Sequence, residues 1–75
     1  MNIVKVQWLD AQTFDDWYDD EEIEDKLQQP MLVTSIGFLF RETETYIALI
    51  QSIALETKCG LLQIPKESIK RIEKI

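Results

Sequence analysis

Between residues 10 and 29 the chain carries Asp10, Asp15, Asp16, Asp19, Asp20, Glu21, Glu22, Glu24 and Asp25 against the single base Lys26. Carboxylates at this density can hold a cation, share a proton, or imitate a row of phosphates. The spacing narrows the choice. Asp15, Asp16, Asp19 and Asp20 lack the glycine and the D-x-D-x-D-G register of a calcium loop, so no specific metal is expected. Paired carboxylates can do general acid–base work, but 75 residues leave little room for a substrate pocket. A contact surface is what remains. Asp15, Asp16, Asp19 and Asp20, with Trp17, Tyr18 and Ile23 interleaved as anchors, are candidate contacts for a basic partner protein, by mimicry of a nucleic acid or otherwise. The plainer reading is a solvated, helix-capping face that keeps a small protein soluble, including one that docks on a neighbouring copy.

The bases gather elsewhere. Lys66, Lys70, Arg71 and Lys74 fall within the last ten residues, and Arg41 joins them as a candidate contact for single-stranded RNA or DNA through phosphates. Lysines on an edge strand also serve simply to block aggregation. The formal charge is −6, but it is not shared out. Residues 10–29 hold nine acids and one base, a net −8; the rest holds seven bases and five acids, a net +2. The acidity belongs to one segment, and the body is faintly basic.

Histidine is absent and cysteine occurs once, at Cys59. One thiol cannot form an internal disulfide. No Cys/His zinc site and no Ser-His-Asp or Cys-His nucleophile can be assembled from these residues. Catalysis and bound cofactors are therefore not expected. A lone cysteine without a secretory signal suits a reducing cytoplasm. No apolar run reaches the length of a membrane span.

The elements that must position these groups follow from periodicity. Residues 2–9 alternate, with Val4, Val6 and Trp8 on one side and Lys5 and Gln7 on the other, which is a half-buried strand. Residues 10–30 are an excursion. Thr13 and Asp16 have capping-box spacing. Phe14, Trp17 and Tyr18 oppose Ile23 and Leu27 on a helical projection, so the excursion divides into a turn and a short helix near 20–28 whose Ile23 and Leu27 dock on the body. Residues 31–41 and 45–53 read as strands, joined by the polar turn 41–45. Residues 54–60 form a connection, 61–64 a short strand, 65–68 a 3₁₀ turn and 69–74 a last strand. Ile69, Ile72 and Ile75 recur every third residue, so periodicity alone leaves strand and helix equally placed for the end of the chain. Five strands with a long first connection describe a small SH3-type or Sm-type barrel, mainly β, in one domain spanning 1–75.

Size adds a constraint. A folded chain of 8.8 kDa should expose about 4,800 Å² and retain only about 3–5 kcal/mol of net stability from its core. Without disulfides or a metal, association is the remaining source of stability. Two strands are apolar on both faces, and the outer face of 31–40 and 46–50 needs cover from the acidic segment or from another subunit. Phe38, Phe40, Tyr46, Ala48 and Ile50 are the candidate oligomer interface.

VQWLDA at 6–11, Trp17, SIGFLFRETETYIALIQSIA at 35–54 and IPKESIKRI at 64–72 resemble a family of short phage and prophage proteins, which carry W-x-D, S-[IV]-G-[FW]-L, Y-x-x-L and I-P-K-x-x-I in this order. Members of cyanophage type are similar to the Sm-like fold and form rings. The resemblance implies a barrel, a strand at 69–74 and assembly as a ring. Gly37 and Leu39 match the opening of the first RNA-binding motif of Sm proteins. Glu42, Glu44 and Tyr46 stand where its Asp and Met-Asn would be, and Ile64, Pro65 and Lys66 replace the Arg-Gly pair, so the uridine-contacting residues have no counterpart here. The combined expectation is a non-enzymatic, phage-derived, Sm-like homo-oligomer that binds single-stranded nucleic acid through a basic ring face. The alternative is a protein-interaction module acting through residues 15–25, by host-protein binding or nucleic-acid mimicry.

Overall fold

Val4 and Val6 are fully buried while Lys5 and Gln7 between them are half-buried, as the alternation of β1 (Ile3–Asp10) requires. The computed structural model describes residues 1–27 and 29–75, and its elements run β1, α1 (Asp20–Lys26), β2 (Met31–Glu42), β3 (Tyr46–Ile53), β4 (Lys58–Pro65), a single 3₁₀ turn at Lys66–Ser68, and β5 (Ile69–Lys74). The protein is mainly β. Its five strands form one antiparallel sheet in the order β4-β3-β2-β1-β5, and the sheet is not closed.

One face carries the core. Val4, Val6, Ile47, Leu49 and Ile64 form the buried cluster, with Trp8, Leu39, Leu62 and Ile69 packed against it. Trp8 also donates its indole N–H to Ser35 Oγ at 3.0 Å, which satisfies its polar atom across β1 and β2. Gly37 sits opposite Val4, where β3 passes close to β2. A Cβ there would lie 3.0 Å from the Ile50 carbonyl oxygen. The β2–β3 turn is tied by Thr43, whose Oγ1 accepts from the backbone N–H groups of Thr45 and Tyr46 at 3.2 and 3.1 Å.

Two register shifts redirect side chains. On β5, Ile72 pairs with Val6 and Ile69 with Trp8, so Lys70 is the extra residue of a β-bulge. The bulge places Ile69 and Ile72 on the same core-facing side although they are three apart. The helix-like spacing at the end of the chain is thus a strand with one residue inserted. On β2, Leu39 pairs with Leu49 but Arg41 with Ala48, so Phe40 is the extra residue there. Arg41 consequently lies on the outer face with Ala48, whereas unbroken alternation would have turned it to the core.

Some expectations need correction. β4 begins at Lys58, inside the segment read as a connection, because Cys59 and Lys58 pair with Ser52 and Ile53. The capping box is formed by Asp19 and Glu22: the Glu22 N–H donates to Asp19 Oδ1 at 2.9 Å and the Asp19 N–H to Glu22 Oε1 at 3.4 Å. Thr13 caps nothing. Residue 28, read as the helix end, lies outside the described residues. Most significantly, Ile23 and Leu27 do not dock on the body. They are 43% and 69% exposed, α1 has no buried residue, and no strand packs on it beyond marginal contact. The excursion is rooted at one end of the β1–β2 ladder, at Asp10 and Met31, and projects from there.

Candidate interaction surfaces

The projecting arm has its own shape. Phe14, Trp17, Tyr18, Ile23 and Leu27, with Asp16 and Lys26, line an open groove of about 390 Å³. The Lys26 ammonium lies 5.5 Å from the centre of the Tyr18 ring, a contact that leaves Tyr18 half-buried. Trp17 is 96% exposed. Asp15, Asp16, Asp19 and Asp20 are all exposed. Asp16 and Asp19 accept backbone N–H groups, from Trp17 at 2.8 Å and Glu22 at 2.9 Å, so part of the acidity shapes the local backbone. Among the described residues no group of three or more potential ligand side chains converges on a metal position.

A second surface lies on the outer face of the sheet. Register aligns Ile3 of β1, Phe38 of β2, Ile50 of β3 and Leu61 of β4 in one row across four strands. Alternation from Val4, Gly37, Leu49 and Leu62 puts this row opposite the core. Ile36 extends it, next to Lys5. Ile36 and Leu61 are 60% and 68% exposed, and Ile3 and Phe40 are also exposed. The Arg41 guanidinium and Lys58 ammonium lie 5.5 and 5.9 Å from the ring centre of exposed Phe40.

The anticipated interface residues divide. Phe38 and Tyr46 are half-buried and Phe40 is exposed, while Ala48 and Ile50 are buried within the chain itself. The last two emerge on the outer side of β3 but are covered by their neighbours in the chain. Ile3, Ile36, Leu61 and Lys58, missed in the interface reading, complete it. Their signal is the cross-strand register, which one strand's alternation does not contain.

The basic candidates are not one patch. Lys66 pairs with Glu42 at 2.9 Å and Arg71 with Glu73 at 2.8 Å, while Lys5 reaches the same Glu73 oxygen at 3.9 Å. Arg41 sits by Phe40, two strands from β5. Lys70 and Lys74 are exposed, with no acidic partner among the described residues. Among the described residues no helix is long and apolar enough to cross a membrane. No family model, curated protein or solved structure matches this chain.

Proposed function

We propose that this protein is a non-enzymatic interaction module that works as a homo-oligomer, in keeping with the ring-forming, Sm-like phage proteins its sequence resembles. One observation carries the reading: the four-strand row Ile3–Phe38–Ile50–Leu61 is apolar throughout and lies on the face away from the core. Antiparallel sheets ordinarily turn a polar face to water. The surface total points the same way. The chain exposes 6220 Å², about 1,400 Å² more than a compact chain of its mass. Its radius of gyration is 16.0 Å, against about 11 Å for a compact domain of this length.

Sedimentation or light scattering tests this directly. The expected mass is a multiple of 8.8 kDa, falling when Ile36→Ser and Leu61→Ser are introduced together. A wild-type monomer over a wide concentration range overturns the reading.

The second reading is single-stranded nucleic-acid binding. Lys70 and Lys74, exposed on edge strand β5 without carboxylate partners among the described residues, favour it. Lys66 and Arg71 weaken it, since their charges are already matched in the chain. Repetition around an oligomer would supply the charge that one copy lacks. Binding of oligo-dT should then weaken steeply with salt, with a log–log slope of about −0.7 per phosphate neutralised; no binding at low salt removes this reading.

A further inference from the structure

The acidic arm and the outer stripe are complementary in two independent respects. The arm presents apolar Phe14, Trp17, Ile23 and Leu27 within a segment of net charge −8, whereas the rest of the chain is +2. The stripe presents apolar Ile3, Ile36, Phe38 and Leu61, with exposed Arg41 and Lys58 reaching the nearby Phe40 ring and Lys5, loosely paired with Glu73 at 3.9 Å, next to Ile36. Each needs an apolar partner of the opposite charge, and each is the other's match.

They do not meet within one chain. The arm leaves at Asp10, and the stripe crosses β1 at Ile3, seven residues away. At about 3.3 Å per strand residue that is roughly 23 Å. The arm also projects from the sheet, and the molecule extends over 52 × 24 × 20 Å. The exposure of Ile23, Leu27 and Trp17 shows that no such contact is made.

We infer that the arm of one copy docks on the outer stripe of a second copy, with Trp17, Ile23 and Leu27 against Ile36, Phe38 and Leu61, and the arm carboxylates facing Lys58, Arg41 and Lys5. This rests on the self-association proposed above and names its contacts. Arm and stripe lie toward opposite ends of the β1–β2 ladder, so the contact runs head to tail or is exchanged reciprocally between two copies. Apolar burial supplies most of the affinity, and the charges set orientation and reject like-charged approaches. Assembly is therefore weakened by salt only in part.

The test mixes isotope-labelled and unlabelled full-length protein and joins carboxylates to amines with a zero-length carbodiimide. Links between arm carboxylates and Lys58 or Lys5 should form between labelled and unlabelled copies. Trp17→Ala with Leu27→Ser should reduce the mass by light scattering and abolish those links. Replacing Asp20 and Glu24 with Lys should weaken assembly, and replacing Lys58 with Glu in the same chain should restore it in part. Trp17 emission should shift to the blue as concentration rises, a change absent in Trp17→Phe. An oligomer whose mass survives the arm substitutions, or whose arm links are all within one copy, overturns this inference and leaves the self-association reading standing. The same holds if Trp17 stays water-exposed in the oligomer, which would leave the arm to a different protein. A wild-type monomer overturns both.

Discussion

Ile47 offers the sharpest measure of how thin the core is. It is fully buried, sits between Glu42 and Ile64 in register, and belongs to a cluster of only five buried side chains. Ile47→Val removes one methylene equivalent and should cost about 1 kcal/mol. In a domain of this size that lowers Tm by about 4–8 °C. Ile47→Ala removes more and leaves a cavity that neighbouring strands, held by their ladders, cannot close; the cost is about 2–5 kcal/mol. Set against about 3–5 kcal/mol of net stability for a small single core, that leaves the Ala variant largely unfolded at room temperature unless association rescues it. Leu55, fully exposed in the β3–β4 turn, is the control: Leu55→Ala should stay within about 0.5 kcal/mol of wild type. Circular dichroism melts at matched protein concentration read all three, since association makes Tm concentration-dependent. If Ile47→Ala melts with Leu55→Ala, the core is not where the buried cluster places it and the reasoning fails.

Three further outcomes are expected. Gly60 has φ 76°, and a Cβ there would lie 2.5 Å from Gln51 Cβ. Gly60→Ala should therefore destabilise by at least about 1–2 kcal/mol, and Gln51→Ala should not rescue it because the obstructing atom is Cβ itself; thermal melts of the single and double variants decide. Asp19→Ala removes the cap of α1 and should cost about 1 kcal/mol locally, but amide exchange in β1 and β3, compared in the Trp17→Ala, Leu27→Ser background, should be unchanged, because α1 makes no more than marginal contact with any strand. Trp8→Phe and Ser35→Ala each break the 3.0 Å hydrogen bond, and a double-mutant cycle should return a coupling of about 0.5–1.5 kcal/mol; a coupling near zero refutes its contribution.

The pattern of residues determined a good deal by itself. Val4, Val6 and Trp8 announce a strand with one buried face, and they line the core. The acidic segment between two apolar strands, ending at Pro30, announces an excursion with a short helix, and both are present. These are local facts, set by side-chain period, capping chemistry and the absent N–H of proline. Tertiary structure decided what local period cannot. The bulges at Lys70 and Phe40 exist because β1 and β3 hold their neighbours in shifted register, and they alone turned a three-residue isoleucine spacing into a strand and brought Arg41 to the outer face. Ile3, Phe38, Ile50 and Leu61 became one surface only when four strands aligned. Ile23 and Leu27 look in sequence like residues that should find the body. The anchoring of the arm at Asp10 and Met31 keeps them from it, because a side chain's period fixes the side on which it emerges, whereas its partner depends on where the chain around it is held.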